Sequence, residues 1–399
     1  MNSASYELTR AERKTLVSDC AIAAEAAAIA LARCDERLAR AAPELAAGAR
    51  QRGHAFEAQA LIALTGGLCP LEDLVLHDAG MDVRSPSREI TRAAAILDER
   101  RRLARREPGE ILSPSALRQR LGLAQAQQSE GPRAAPVVTN WAAAPWERGH
   151  LDRDDDDDPR DEDDAGVDEE PDHATDPAFA EIDALLARTR KKLDSWNDFS
   201  SDAGRKNLSL RDPGYDAAGR CERWLAVLEE GRGLPAALAA ALALDAWLVL
   251  EPSERAGELG FALAATVLRQ RGLAQTHLPT LGLGLRRGRF RWSPHQALSV
   301  RIGGLLVALT EAAAFAQADC DRLSLARDLM LRKCEGRRGN SKLAELVDLF
   351  VALPLVTVQL TAARLQVSPQ AVEAMLKQLG ASLPRELTGR KRYRAWGIL

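Results

Sequence analysis

Residues 342–399, KLAELVDLFVALPLVTVQLTAARLQVSPQAVEAMLKQLGASLPRELTGRKRYRAWGIL, hold the pattern that decides how the chain is read. Leu343, Leu346, Val347, Leu349 and Phe350 recur at helical spacing until Pro354 ends the run. Thr357 is placed to N-cap a second helix, with an expected inner face of Leu360, Ala363 and Leu365 and the small Ala363 at a close helix approach. Gln366 and Val367 supply a turn. Ser368 then caps a third helix with Pro369 at its first position, where a missing N–H costs nothing. Val372, Met375, Leu376 and Leu379 face inward and Gly380 stops the helix. This leaves Ser368, Gln370, Glu373 and Lys377 outside, a short polar set of the kind that reaches base edges in the major groove.

Beyond this helix, Leu387-Thr388, a Gly389 turn and the stretch from Tyr393 to Trp396 read as a two-stranded wing. Arg385, Arg390, Lys391, Arg392 and Arg394 crowd onto it as expected phosphate contacts, with Tyr393 or Trp396 packing beneath them. From residue 331 to the end there are twelve Lys/Arg against five Asp/Glu, whereas the whole chain has a formal charge of −3. A basic patch on an acidic chain is an electrostatic footprint for phosphate, and double-stranded DNA is the expected partner. The competing reading is a small helical cap with a solvated basic tail.

The 399 residues are 46% apolar but only 4% aromatic, with Ala and Leu dominant, so a mainly α fold built on aliphatic cores is expected. Six cysteines (Cys20, Cys34, Cys69, Cys221, Cys320 and Cys334) lack C-x-x-C spacing and read as reduced, packed thiols rather than a zinc or disulfide framework. Glu72-Asp73 with His77 and Asp78 reads as a loop network or helix cap rather than a metal site. The GLGLRRG run at 282–288 lacks both a preceding strand and a Gly-Lys-Ser/Thr, so it is not a phosphate loop. No metal and no cofactor are therefore expected. The amino terminus lacks an apolar signal region, and no stretch is read as approaching the roughly 20 apolar residues that cross a bilayer, which implies a cytoplasmic protein without a membrane partner.

The sharpest change in composition is LDRDDDDDPRDEDDAGVDEEPDHATD at 151–176, which has too few apolar residues to offset the entropy of ordering. The expected organisation is an N-terminal helical region (1–124), a disordered acidic linker (125–178), a helical core (179–335) and a winged helix-turn-helix DNA-binding domain (336–399). Trp141 and Trp146 lie in the linker's Pro/Ala-rich flank. Residues 277–295, HLPTLGLGLRRGRFRWSPH, read as a Gly-rich basic connection inside the core. The basic run Arg100 to Arg106 reads as a solvated helix face.

Residues 225–275 resemble the core of Fic-domain proteins, which transfer nucleotidyl groups to target hydroxyls. Leu234-Pro235, a helix through Asp245-Ala246-Trp247, then Pro252, Gly260 and Gly272-Leu273 fall in the family's order. The family's loop is H-P-F-x-D-G-N-G-R, whose His is the base and whose glycines cradle phosphates. Here Glu251 stands at the His position beside Pro252, and Glu254 and Arg255 fall where the glycine nest begins. The resemblance therefore implies a Fic-like helical core without catalytic residues. The whole chain is similar to a bacterial, often plasmid-encoded family of uncharacterised proteins with a C-terminal helix-turn-helix, which implies a DNA-binding transcriptional regulator. A nucleotidyl-transferase with a rearranged site, and a plasmid-maintenance or antitoxin-like adaptor whose core binds a protein partner, stand as alternatives. A homodimer stays open.

Overall fold

The computed structural model describes residues 6, 9–82, 85–123, 215–253, 256–334, 342–389 and 393–399. The expected acidic linker, Trp141, Trp146, Glu254, Arg255, Arg390, Lys391 and Arg392 lie outside these described residues.

The protein is mainly α-helical. Before the undescribed segment come α1 (Arg10–Arg40), α2 (Pro43–Leu64), α3 (Leu71–Asp78), α4 (Arg88–Ala104) and the short α5 (Pro108–Ile111) and α6 (Pro114–Arg120). After it come α7 (Ala217–Glu230), α8 (Ala236–Leu250), α9 (Leu259–Gln270), α10 (Leu281–Arg287) and the 34-residue α11 (Leu298–Leu331). Side chains start several of these helices. Thr9 and Glu12 form a reciprocal capping box on α1, and Ser87 and Ser113 accept from backbone N–H groups of α4 and α6.

α8 is apolar on every side and lies inside the bundle, with Ala237 to Trp247 all buried. Its alanines let neighbouring helices approach, and Trp247 meets Trp224 of α7 edge to face with centroids 5.2 Å apart. One charged side chain sits in this wall. Asp245 is fully buried, and it accepts from Arg301 Nε and Nη2 (both 2.8 Å), Tyr6 Oη (2.7 Å) and Trp292 Nε1 (2.7 Å). Four donors in a dry site satisfy the carboxylate, so the amino terminus, α8 and α11 are tied at one point.

Two sequence expectations change here. Residues 281–287 form α10 rather than an irregular connection, because the glycines serve close packing. A methyl group added at Gly284 would run into the Ala308 carbonyl of α11, and one at Gly282 would strike Leu61 of α2. Buried Glu57 of α2 accepts from the N–H groups of Gly282 (2.9 Å) and Leu283 (2.8 Å), and burial pushes its carboxyl up despite nearby Arg100. The second change concerns apolar length. α1 and α11 are each long and apolar enough, by length and composition, to cross a bilayer, where no such stretch was expected. Runs rich in alanine escape the eye. In this fold the two helices pack along one another and each contributes buried residues to the core, and α11 carries the buried Arg301 and Asp319.

The described residues of 10–123, 217–334 and 342–399 belong to one compact unit and contribute to a main hydrophobic core. Cys20, Cys34, Cys69, Cys221 and Cys320 are free and buried, as packed thiols should be, and burial raises the Cys34 thiol to about 12. Around the proposed loop network, Asp78 pairs with Arg101, His77 with Asp82 (2.8 Å) and Glu72 with Arg385 (3.3 Å). Among the described residues no His/Cys/Asp/Glu group could hold a metal ion.

Candidate nucleic-acid interface

The C-terminal elements are α12 (Leu343–Ala352), β1 (Val356–Thr357), α13 (Val358–Leu365), α14 (Pro369–Leu379), β2 (Arg385–Glu386) and β3 (Ala395–Gly397). Leu343, Leu346, Val347 and Phe350 of α12 are fully buried. Thr357 caps α13 by accepting from Leu360 N (3.1 Å), and Ser368 caps α14 by accepting from Ala371 N (3.2 Å). Between the helices Gln366 takes a left-handed conformation (φ 53°), and its N–H closes on Ala362 O. This tight turn reverses the chain onto α14.

The inner face of α13 differs from the expected one. Thr361 and Leu365 are buried, Leu360 is partly buried and Ala363 is exposed. Thr361 can go inside because its hydroxyl donates to Thr357 O (2.9 Å), which removes the cost of burying a free hydroxyl.

On α14 the division of faces is as expected. Val372, Met375, Leu376 and Leu379 are buried, whereas Ser368, Gln370, Glu373 and Lys377 are exposed. Gln370, Glu373 and Lys377 sit within about two turns on one side of this 11-residue helix, and Ser368 is exposed at its N-cap. Glu373 is close enough to Arg394 for their charges to interact, which links this face to the following hairpin.

That hairpin supplies two strands of a three-stranded antiparallel sheet in the order β1-β3-β2. Its strands are shorter than the expected ones and begin earlier, at Arg385, and the short β1 was not anticipated at all. Val356 pairs with Trp396 and Thr357 with Ala395 on one side of β3, and Glu386 pairs with Trp396 on the other. Two-residue strands carry too little alternation to be read from sequence. Trp396 is buried under Arg394, whose guanidinium stands 4.9 Å from the ring centroid. Arg394 also donates to Glu386 (2.9 and 2.5 Å), which holds that carboxyl below the usual range. Arg385 reaches Glu72 of α3. Arg385 is largely exposed and Arg394 about half exposed, and exposed ion pairs are worth little. Tyr393 is exposed with φ 55°, and of the two aromatics it is Trp396 that lies beneath Arg394.

The motif is held to the helical body by a residue that sequence reading missed. Arg52 of α2 is buried and donates to Phe350 O (2.9 Å), Val351 O (2.7 Å), Leu353 O (2.6 Å) and Ile398 O (2.6 Å). A guanidinium here satisfies the orphan carbonyls at the end of α12 and fixes the last strand beside it. Beside it Gly48 has no room for a methyl group, which would strike Val351 O. Burial lowers the Arg52 guanidinium to about 10.

The residues of the Fic-like comparison are arranged differently. Asp245 is the buried carboxylate described above. Glu251 is exposed in a left-handed C-cap (φ 46°) with Arg220 4.0 Å away, and Pro252 is buried behind it.

An all-helical body carrying a C-terminal helix-turn-helix defines the class of protein, and residues 343–399 match a family model described as a helix-turn-helix (HTH) DNA binding domain. Residues 209–335 match a second model, described as a protein of unknown function (DUF1612). The chain is 34% identical over 387 residues to the uncharacterized protein y4cF of Sinorhizobium fredii (strain NBRC 101917 / NGR234), covering 94% of this chain and 95% of that protein. It belongs to the same family.

Proposed function

We propose that this protein is a sequence-specific DNA-binding regulator of transcription that acts in the cytoplasm, with α14 as the helix that enters the major groove. The observation that carries this reading is the outer face of α14, where Gln370, Glu373 and Lys377 are exposed on a capped, well-packed helix. A Gln can pair with adenine, a Glu with cytosine and a Lys with guanine, so the three can read different base edges. The β2–β3 hairpin serves as the wing, and Arg385 and Arg394 set the register by holding phosphates together with Arg390, Lys391 and Arg392. The Fic-like part serves as a non-catalytic platform. Solvent-exposed Ile22 of α1 and Val307 and Leu325 of α11 support a homodimer as the binding unit, since helix-turn-helix readers commonly bind paired half-sites.

The test is selection of bound fragments from random duplex DNA by the full chain, repeated with Gln370→Ala and Lys377→Ala. The reading requires an enriched sequence whose preference shifts in these variants, each contact being worth about 1–3 kcal/mol of discrimination. No enrichment by the native chain would refute sequence-specific binding.

A further inference from the structure

A cleft of about 1290 Å³ opens between α4, α6 and the start of α9, and no described residue of the helix-turn-helix lines it. Its rim is arginine. Arg88, Arg92 and Arg102 stand on α4, Arg105 and Arg106 follow it, and Arg120 ends α6. Among the described lining residues two carboxylates, Glu99 and Glu258, face these six, and Arg105 has a partner of its own. Glu258 pairs with Arg92, and Glu99 is shared by Arg102 and Arg120. Arg88 and Arg106 have no acidic partner among the described residues. A rim of six guanidiniums against two carboxylates is a concentrated positive charge on a chain of formal charge −3. A seventh, Arg100, is turned inward to the Leu278 and Pro279 carbonyls and takes no part.

The rim is also incompletely satisfied. Arg120 is only 18% exposed, and its Nε is buried without an acceptor. Burial pushes its guanidinium down, and its carboxylate is already shared. Like charges converging in a partly dry site cost free energy that an anion would offset. Between the arginines the wall is aliphatic, formed by Ala95, Ile96, Ala116, Leu259 and Ala262. Among the described residues no aromatic side chain lines it, and so none of them offers the stacking platform that holds single-stranded nucleic acid. A convex duplex cannot enter a concavity bounded by three helices. A small ligand with several phosphates can, because guanidinium forks take phosphate oxygens in pairs and a cleft of this size admits more than an isolated ion.

We propose that this cleft binds a small ligand carrying a run of phosphates, either a linear polyphosphate or the polyphosphate arm of a nucleotide. The site is separate from the DNA-reading face and does not depend on it.

Calorimetric titration of the full chain at physiological salt, with inorganic tripolyphosphate and in parallel with ATP, tests this. The native chain should bind at one site. Arg102→Gln with Arg106→Gln should weaken binding by at least about tenfold. Because a paired arginine contributes to the fold, the single variants Arg88→Gln and Arg106→Gln are measured alongside, with the thermal midpoint as the check that folding is intact. ATP bound more tightly than tripolyphosphate would identify a nucleotide, and equal binding would identify the phosphates alone. The proposal is overturned if neither probe binds, if binding survives undiminished in the folded double variant, or if a hexaglutamate peptide binds as tightly as tripolyphosphate.

Discussion

The helix-turn-helix has two sides that treat charge in opposite ways. On the inner side, facing α2, a single buried arginine gives four hydrogen bonds to backbone carbonyls at the end of α12 and near the chain end. On the outer side, Gln370, Glu373 and Lys377 are exposed on α14, and Arg394 rests on the partly exposed Glu386. The inner side fixes position, and the outer side is left to a ligand. A surface whose polar groups add nothing to stability is where binding can be selected without cost to the fold.

Breaking the inner side should have the largest effect. Arg52→Leu strands four carbonyls, two of them at buried positions, and should cost on the order of 3–5 kcal/mol of unfolding free energy in urea titration. Asp35 of α1 gives the next test, through pH. Burial alone would raise its carboxyl, but hydrogen bonds from His277, Thr276 and Gln275 hold it down to about 2. A depressed acid stabilises the fold above its unfolded value, near 4, and that contribution is lost as pH falls from about 4 through 2. Asp35→Asn should therefore flatten the acid limb of a pH–stability curve, and an unchanged limb would remove Asp35 from the account.

A smaller loss is expected at the cap of α14. Ser368→Ala removes the acceptor for Ala371 N–H and should cost about 1 kcal/mol. Smallest of all, Glu373→Ala and Lys377→Ala should each shift stability by no more than about 0.5 kcal/mol, because neither side chain is packed. A loss of 2 kcal/mol or more at either position would erase the contrast between the two faces.

The helix-turn-helix was legible because its signals are local. Thr357, Ser368 and Pro369 announce helix starts a few residues away, and the spacing of Val372, Met375, Leu376 and Leu379 fixes the buried face. The face of α13 was misread because Thr361 hides its hydroxyl against its own helix, a polar residue that behaves as core. α10 was missed for a related reason, since glycines that serve close packing against α2 and α11 look like loop glycines until the partners are known. Arg52, Asp245 and Glu57 were invisible as clamps. Each acts on residues from 47 to more than 300 positions away, and nothing in the local sequence marks a charged side chain as buried. Among the candidate DNA contacts, the structure places Gln370, Glu373 and Lys377 on one exposed face, leaves Ser368 exposed at the N-cap and brings Arg394 within electrostatic reach of Glu373. Arg385 is drawn aside to Glu72 on α3.

The most direct measurement is the salt dependence of duplex binding by the full chain, native and Arg394→Ala, on the selected sequence and on unrelated DNA. If the hairpin makes about four phosphate contacts, log K should fall against log salt with a slope of roughly −3.6, reduced by about 0.9 in the variant and equally on both DNAs. A slope near zero for the native chain, or no binding at low salt, would contradict the assignment of this face to DNA.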